Sequence, residues 1–524
     1  MRPGPLVRVL VLLGILPPAL GTATGAEHAL TLDEATALAI EKNQGLFIER
    51  ESLAAARAAV TGAKGAYDPV LELTSGWRRA SDPINSAFSG APGGRAAPTT
   101  RASDAGVSVR QLLPTGGSLS FQAAAIREKT DGAFALLSPA YRTQVGVELR
   151  QPLLRNRTVD AARFTVRAAV SDREGAVASL RRTITETVAD VERAYWKLAA
   201  SRLEVGVREE ALRLAEEQLA ETRKRIESGI APETEIAQPR AELERRRGEF
   251  LTSRESASRA ENDLKLLILG DADDPLWMEQ LAPADDVAME VVAVDVPASL
   301  ERALASRPEL KTAKSVVGRR RAESAFARDG IRPALDATVS YDRLGLAGSR
   351  NPAGLSLTGL PVELPPGLEG GLGQSFETLR EGDFDDVRAS VVFAIPIGNR
   401  TARAAAARAG SFEQQAEADL RRIRETVKAE ILDAAAALET AGQRIEAARA
   451  GRKAAEVQLA AERERYAVGF STNFLVLTRQ NDLARARLDE ISALTAYRKA
   501  RTEMSRATGS LLEERRIAVD RTGS

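Results

Sequence analysis

The sequence predicts an exported α+β protein in which very long antiparallel coiled helices are combined with a set of β-strands. Three observations support this fold class. The N-terminus has the parts of a secretory signal. Apolar residues recur every seven positions over long stretches, which is the pattern of coiled helices. The same order of elements also occurs twice along the 524 residues, which indicates two internal structural repeats.

A signal peptide is predicted at residues 1–26. Arg2 and Arg8 come first, an apolar run covers residues 9–16, and small residues follow at 21–26. The apolar run is shorter than the roughly 20 residues that cross a bilayer as a helix, and no later segment reaches that length. If the mature chain enters a membrane, it must do so as a closed β-barrel, because lipid offers the backbone no hydrogen-bond partners.

The composition is that of a folded protein without covalent chemistry. Hydrophobic residues make up 44% and charged residues 28% of the chain, and 73 basic residues balance 73 acidic ones, so no nucleic-acid partner is expected. The chain has no cysteine and one histidine, which excludes thiolate and HExxH metal sites. It lacks the phosphate-binding GxxxxGKS/T loop and the GxSxG elbow. We therefore predict no enzyme activity, no cofactor and no metal site. The alternative is that acidic loop clusters, such as Asp271, Asp273 and Asp274, bind a hard cation.

The two predicted repeats span residues 27–270 and 297–510, with a linker or equatorial segment at 271–296 and a C-terminal tail at 511–524. Each repeat begins with an amphipathic helix, continues through strand-like residues, and enters a long helix that turns back at a glycine. The predicted helices are 31–66, 154–228 and 232–269 in the first repeat and 297–330, 399–468 and 471–509 in the second.

Strand-like alternation occurs at about 69–151 in the first repeat and about 334–395 in the second. The predicted strands are 69–79, 103–113, 117–128, 141–151, 334–344 and 386–395. The strand-to-helix junctions are marked by four prolines, Pro69, Pro152, Pro333 and Pro396. The loops 80–102 and 345–384 are rich in Gly, Pro and Ser and are interpreted as surface excursions, with disordered inserts in a soluble protein as the alternative.

The long helices carry the strongest periodic signal. Apolar residues recur every seven positions from Val170 to Ile226, and an alternating four-three spacing runs from Val427 to Leu459 with a break at Arg452. A period of 3.5 residues requires left-handed coiling of packed helices.

Both long helices must also fold back on themselves. A helix over residues 154–228 would be about 110 Å long, which no single globular domain can contain. Gly229 and Gly469 interrupt the two helical stretches, so we expect a hairpin turn at each of them.

Several motifs occur together in an order that is typical of one family. The mature chain opens with LTLDEATALAIEKN, two junctions read QPLLRNR and IPIGNR, and the two turns read RIESG and RYAVG. With this combination the chain resembles the TolC or outer membrane efflux protein family over nearly its whole mature length. The resemblance implies a TolC-like trimeric channel, in which three subunits share one transmembrane β-barrel in the outer membrane and their helices form a tunnel in the periplasm.

The resemblance also implies the partners and the function of such a channel. A homotrimer surrounded by outer membrane lipid would be a passive conduit in a tripartite efflux or export system. Substrates would come from an inner-membrane pump of the resistance-nodulation or ABC type, through a periplasmic adaptor of the membrane fusion protein class. The tip of the helical tunnel would dock the adaptor and would contain the gate.

The residues that the resemblance implies at this periplasmic gate and docking tip are Gly229, Glu233, Glu235, Gln238, Tyr466, Gly469, Leu475 and Thr478. The family carries acidic residues six and nine positions after the second turn glycine, where this chain has Leu475 and Thr478. In the first repeat the same positions are Glu235 and Gln238. Block by cations should therefore be weaker than in relatives with a full acidic ring. The alternative for Glu235 is a solvated residue favoured by the helix dipole.

Two other functions fit the same sequence features. The first is the outer channel of a type I protein secretion system, which the sequence does not distinguish from an efflux channel. The second is a secreted periplasmic coiled-coil structural protein, which would be extracted into buffer without detergent. Trp77 and Tyr341, on the first predicted strand of each repeat, are candidates for the aromatic girdle of a membrane barrel.

Overall fold

The structure, a computed structural model, describes residues 27–81, 83, 97–230, 232–287, 290–354 and 363–518. The predicted signal peptide 1–26 lies outside these residues, as do parts of the loops 80–102 and 345–384 and of the tail 511–524. No helix within the described ranges is both long enough and apolar enough to cross a membrane.

The elements, in chain order, are β1 (Glu27–Leu30), α1 (Leu32–Lys42), α2 (Gln44–Lys64), β2 (Val70–Ser81), β3 (Thr99–Leu112), β4 (Ser118–Thr130), β5 (Leu137–Pro152), α3 (Ala161–Glu227), α4 (Ala237–Ile268), β6 (Gln280–Pro283), α5 (Val296–Ser306), α6 (Pro308–Asp329), β7 (Ala334–Arg350), α7 (Leu372–Glu381), β8 (Phe384–Ala394), α8 (Arg400–Ala467), α9 (Asn473–Thr508) and α10 (Leu511–Glu514).

The chain divides into two compact units. The helical unit comprises Met1–Ala55, Glu174–Ser315 and Ala418–Ser524, and the sheet unit comprises Ala56–Arg173 and Val316–Glu417. The sheet unit contains a six-stranded antiparallel sheet with the order β2-β3-β4-β5-β7-β8. The four strands of the first stretch and the two of the second therefore form one continuous sheet, with β2 and β8 at its edges.

The two faces of this sheet differ in chemistry, because successive side chains of a strand point to opposite faces. The apolar face carries Leu71, Leu73, Trp77, Val107, Val109, Leu119, Phe121, Val145, Val147, Leu149, Val339, Tyr341, Val387, Val391 and Phe393. The polar face carries the carboxylates of Glu72, Asp104, Glu128, Glu148, Asp336, Asp342 and Asp386. Most of the large apolar side chains on the first face are exposed in the single chain. The helix α7 covers this face near Thr143 and Gly345, where the Thr143 hydroxyl donates to the carbonyl oxygen of Ser375 at 2.9 Å.

The predicted loop 345–384 is in part regular structure. β7 continues to Arg350, beyond the predicted end at residue 344, and the helix α7 precedes β8. Near the end of β7, the hydroxyl of Thr378 in α7 forms the hydrogen bonds that a neighbouring strand would otherwise form. It accepts the N–H of Leu346 at 3.0 Å and donates to the carbonyl oxygen of Leu346 at 3.2 Å. Gly345 allows this close approach, because a Cβ there would lie 2.0 Å from the carbonyl oxygen of Ser375.

The predicted helix 31–66 is two helices in the structure, α1 and α2. Asn43, which separates them, has an extended conformation, and its side chain both donates and accepts a hydrogen bond. Its amide Nδ2 donates to the carbonyl oxygen of Leu267 at 3.0 Å, and its Oδ1 accepts the N–H of Leu46 at 3.2 Å. The Asn43 side chain therefore satisfies an N–H group in the first turn of α2 and a carbonyl group in the last turn of α4.

The predicted helix 297–330 is also divided, into α5 and α6. Arg307 adopts an extended conformation, which is the conformation expected of a residue that precedes a proline, here Pro308. The Arg307 side chain is buried and forms ion pairs with Glu309 and Glu430. The positive charge of Arg307, which lies at the break between α5 and α6, is therefore balanced by two carboxylates.

Two predicted helix starts are too early. The helix predicted from residue 154 begins at Ala161, because the preceding loop turns through Asn156, whose φ is +67°. That loop is held by Asp329, whose carboxylate accepts the N–H of Asn156 at 2.6 Å. The helix predicted from residue 232 begins at Ala237, after a short 3₁₀ turn over Glu233–Ile236.

The apolar seams of the long helices are largely buried within the helical unit. On α8 the seam residues join Tyr497 of α9 in one cluster that contains Val427, Ile431, Ala434, Leu438, Ala441 and Ile445. On α3, Ile184, Val191, Leu198 and Leu219 are buried, whereas Val177 is 44% exposed. The break in the α8 seam has a charge explanation, because Arg452 lies 2.7 Å from Glu456 and 2.5 Å from Glu490 of α9.

The predicted linker 271–296 contains regular structure that the sequence did not indicate. Its strand β6 pairs in parallel with β1 at the start of the described chain. The buried hydroxyl of Tyr195 lies 2.7 Å from the carboxylate of Asp285, and the hydroxyl of Tyr497 accepts the N–H of Val292 at 2.9 Å. Burial, together with the Asp285 carboxylate, raises the pKa of Tyr195 above its usual range, so the phenol stays neutral. One tyrosine from α3 and one from α9 thus contact the predicted linker.

Candidate functional site

The first hairpin turn ends α3 at a glycine in the left-handed backbone region. Gly229 has a φ of +74°. Its N–H donates to the carbonyl oxygen of Ile226, and the N–H of Ile230 donates to that of Arg225, both at 2.9 Å. This pair of bonds is a Schellman motif, which satisfies carbonyl groups that the end of a helix would otherwise leave without a partner.

The second hairpin turn repeats this geometry at the end of α8. Gly469 has a φ of +85°, its N–H donates to the carbonyl oxygen of Tyr466 at 3.1 Å, and the N–H of Phe470 donates to that of Arg465 at 2.8 Å. Thr472 then caps the start of α9. The two predicted turn glycines therefore adopt the same conformation and the same hydrogen bonds.

A direct contact joins the two turns. The guanidinium of Arg225 donates to the hydroxyl of Tyr466 at 2.6 Å, and its central carbon lies 6.0 Å from the centre of the Tyr466 ring. The sequence pointed to Tyr466 but not to Arg225. The signal was present, because Arg225 and Arg465 each stand four residues before a turn glycine.

Large apolar side chains are exposed at both turns. Ile230 is 69% exposed next to the first glycine, and Phe470 is 79% exposed next to the second. Val468 and Phe474 are exposed as well. Apolar surface of this kind at the end of a helical hairpin is typical of a protein-binding site, because water solvates it poorly.

The acidic side chains predicted at the first turn reach solvent. Glu233 and Glu235 are exposed in the 3₁₀ turn that precedes α4, and Gln238 is exposed in the first turn of that helix. The backbone N–H of Glu235 donates to the carbonyl oxygen of Pro232 at 3.1 Å, which fixes the position of Glu235 on the turn.

The corresponding positions after the second turn are not acidic. Leu475 is exposed, and its N–H donates to the hydroxyl of Thr472 at 3.4 Å. Thr478 is half-buried and donates to the carbonyl oxygen of Phe474 at 2.9 Å, within its own helix. At these two positions the tip therefore carries an aliphatic side chain and a hydroxyl that is already bonded.

Behind the turns, a cavity of about 100 Å³ lies between the two hairpins and is lined by residues of α3, α4, α8 and α9. The buried Arg246 closes one side, with bonds to Glu242 at 2.8 Å and to Glu249 at 2.9 Å. Arg208 of α3 joins the same group through Glu249 at 2.7 Å. These charges tie the first helix pair together next to the cavity.

The charges of this group fix the ionisation of Glu242. Burial favours its neutral form, but the hydrogen bond from Arg245 and the positive charges of Arg246 and Arg245 outweigh burial and lower the pKa of Glu242 below its usual range. The same hydrogen bond with Glu242 raises the pKa of Arg245. The lowered pKa favours the charged carboxylate, as expected of a group that forms a structural ion pair.

The four predicted junction prolines lie in the sheet unit. Pro69 comes directly before β2 and Pro333 directly before β7. Pro152 is the last residue of β5, and Pro396 follows β8 by two residues. A proline at the end of a strand removes one N–H donor where pairing stops.

Comparison with known sequences identifies one family. A sequence profile described as Outer membrane efflux protein matches residues 118–270 and 299–510, which together are more than half of the chain. No functionally curated protein matches the chain in sequence.

Solved structures share the fold at low sequence identity. The CmeC outer membrane channel of Campylobacter jejuni has a TM-score of 0.62 at 16% identity, over 92% of this chain and 86% of that chain. VceC, an outer membrane protein of Vibrio cholerae, has a TM-score of 0.61 at 15% identity, over 91% and 96%. The open state of the MtrE outer membrane channel of Neisseria gonorrhoeae has a TM-score of 0.59 at 16% identity, over 92% and 89%.

Replacing the turn glycines by alanine should lower the stability of the fold, whereas the same replacement at two helical glycines, which serves as the control, should raise it. Gly229→Ala and Gly469→Ala place a Cβ in open space but in the left-handed region, so each should destabilise the fold by about 1–2 kcal/mol. Gly248→Ala and Gly451→Ala, inside helices and also in open space, should stabilise it by up to about 1 kcal/mol. Thermal unfolding followed by circular dichroism measures both. Equal shifts for the two pairs would show that the turns are not held in this conformation.

Proposed function

Because this chain belongs to the outer membrane efflux protein family, we propose that it is one subunit of an efflux channel in the outer membrane. The channel is a passive conduit, which takes substrates that an inner-membrane pump delivers through a periplasmic adaptor. The helical hairpins form the wall of a tunnel in the periplasm, and the sheet unit forms the part in the membrane.

The observation that carries this proposal is the sheet with one apolar and one polar face. Lipid is a suitable partner for the apolar face, since its aliphatic and aromatic side chains extend over all six strands and large ones are exposed on β2, β4, β5, β7 and β8. The polar face suits a water-filled lumen. On that face Asp342 accepts hydrogen bonds from Gln122 at 3.1 Å and from Gln144 at 2.9 Å, so side chains of three neighbouring strands are tied together.

Closure of the sheet in lipid requires more than one copy. Within the described chain, β2 pairs only with β3 and β8 only with β7, so each edge strand has one side without a strand partner. Lipid cannot satisfy the backbone groups on that side. In a homotrimer, β2 of one subunit pairs with β8 of the next, and three six-stranded sheets give an 18-stranded barrel, a size that leaves an aqueous channel.

The turns are the docking surface for the adaptor and the gate of the tunnel. Ile230 and Phe470 present apolar surface next to the two turn glycines, which suits contact with helical hairpins of a partner protein. The Arg225–Tyr466 bond holds the two turns of one subunit together. Engagement of the adaptor would open the tunnel by separating these turns.

The first test is of location and assembly. Cell envelopes are fractionated, and the detergent-extracted protein is measured by size-exclusion chromatography with light scattering. We expect the protein in the outer-membrane fraction, soluble only with detergent, with the mass of three chains and with conductance in planar bilayers. A monomer that is extracted into buffer without detergent would contradict the channel and would favour a coiled-coil structural protein of the periplasm.

The gate gives a second test. Tyr466→Phe removes the hydroxyl that accepts the Arg225 bond and should destabilise the closed tip by about 1–2 kcal/mol, which raises the open probability about tenfold. Single-channel recording measures this change. Tyr341→Phe is the matched control, since it removes a hydroxyl that is bonded to Arg343 on the sheet. If both variants behave as the wild type does, the Arg225–Tyr466 bond is not part of the gate.

The carboxylate at the first turn gives a third test. Glu235→Gln removes one charge per subunit at the tip, so the concentration of a trivalent cation that half-blocks the channel should rise severalfold. Glu209→Gln is the control, because Glu209 is exposed on α3 but lies away from the turn, so its variant should be blocked as the wild type is. An unchanged block in the Glu235 variant would mean that Glu235 does not line the pore.

A further inference from the structure

Three cations lie side by side at one end of the sheet. Arg79 of β2 is in direct register with Arg101 of β3, and Arg101 is in direct register with Lys129 of β4. All three side chains are exposed, and all three are on the apolar face. We call this set the basic row. It lies at the end of the strands remote from the junction prolines.

Such a row is unfavourable by itself. Cross-strand neighbours have Cβ atoms about 4.5–5.5 Å apart, and like charges in this position repel each other. None of the three cations has an ion pair with an acidic residue in the described part of the chain. The carboxylate of Asp131, the residue that follows β4, accepts the N–H of Thr99 at 2.6 Å.

Cations on the two faces of the sheet differ in their acidic neighbours. On the polar face, three arginines have acidic neighbours: Arg142 with Glu128 at 3.5 Å, Arg150 with Asp336 at 2.9 Å and Arg388 with Asp386 at 3.0 Å. In the described strands, that face carries seven carboxylates, and the apolar face carries Asp385 alone. The basic row thus lacks the acidic neighbours that Arg142, Arg150 and Arg388 have on the polar face.

Aromatic side chains lie directly next to the basic row on the same face. Trp77 precedes Arg79 by two residues on β2 and is 70% exposed. Arg127, one step below Lys129 on β4, places its guanidinium 6.0 Å from the centre of the Tyr141 ring. Along β2 the face therefore reads aliphatic, then aromatic, then cationic: Leu71 and Leu73, then Trp77, then Arg79.

We propose that the basic row binds the phosphate groups of an anionic glycolipid in the outer leaflet of the membrane. The order along the strand matches that of such a lipid, with acyl chains against the aliphatic part, the interface at the aromatic part and phosphate at the cations. An acidic soluble protein would match the cations but not the exposed apolar surface below them. The inference rests on the proposed function, which places the apolar face in lipid.

The test measures binding of fluorescent lipopolysaccharide to the purified trimer in detergent. The variant R79Q/R101Q/K129Q should require an about 100-fold higher concentration for half-saturation, because each cation near an anionic lipid surface contributes about 1 kcal/mol. The matched control is R78Q/R110Q/R142Q, which removes the same number of charges from the polar face of the same strands or their neighbours. The control should bind within about twofold of the wild type.

A charge-conserving variant tests whether misfolding, rather than loss of charge, causes the weaker binding of lipopolysaccharide. R79K/R101K keeps the charges and should keep the binding, whereas a fold defect at these positions would lower it. Phosphatidylglycerol, which has one phosphodiester charge, should bind more weakly than lipopolysaccharide, whose phosphate monoesters carry more charge. Equal affinity of the two triple variants, or equal affinity for the two lipids, would overturn the proposal.

The outcome is separable from that of the proposed function. If the wild type is a trimer from the outer membrane and conducts ions, but R79Q/R101Q/K129Q binds lipopolysaccharide as the wild type does, the lipid site alone is wrong. If the wild type is a soluble monomer, the channel is wrong and the lipid site with it.

Discussion

The pairing of backbone groups at the sheet edges is the constraint on which the rest of the structure depends. A chain that folds into one open six-stranded sheet leaves a row of N–H and C=O groups along β2 and another along β8. In water these groups bond to solvent, but in the lipid environment that we propose for the apolar face they would need another strand. The alternation of apolar and polar side chains, the short junctions at the prolines and the placement of the basic row at the far end of the strands all fit a sheet that is completed by copies of itself.

The helical end follows a different constraint, which is the length of the hairpins. A helix as long as α3 or α8 is stable only if a partner covers its apolar stripe along its whole length. Alanines at the α8 seam allow close approach, and where the seam is interrupted, Arg452 is matched by Glu456 and Glu490. The turns need no such match, because their shape is set by the left-handed glycines. Under the proposed function, their exposed apolar residues contact the adaptor.

Sequence periodicity predicted most of the elements, for a physical reason. A strand with two different faces and a helix with one seam each impose a period on the chain, so the six strands and the long helices could be located from residue type alone. The turns were found because glycine is the residue that best tolerates the left-handed region.

Features that depend on tertiary contacts escaped prediction. The break at Asn43 requires the carbonyl of Leu267, more than two hundred residues away, and the pairing of β1 with β6 brings together segments that show no periodicity. Arg225 was missed because its partner Tyr466 is on the other hairpin. The break before Pro308 had a local signal, since the residue before a proline avoids the helical conformation, but the amphipathic pattern on both sides concealed it.

The most direct test of the central claim uses the absence of cysteine from the sequence, so that any disulfide formed must come from introduced residues. Cysteines are placed on the polar face of both edge strands, at Thr74 and Ser390, and then at neighbouring polar-face positions of β2 and β8 to cover the unknown register. Four strands separate these edges within one chain, so a disulfide must join different subunits. We expect covalent dimers and trimers on non-reducing gels of the outer-membrane fraction, and only when both cysteines are present. Monomers alone, at every pair of positions, would contradict closure of the sheet by β2 and β8 of neighbouring subunits.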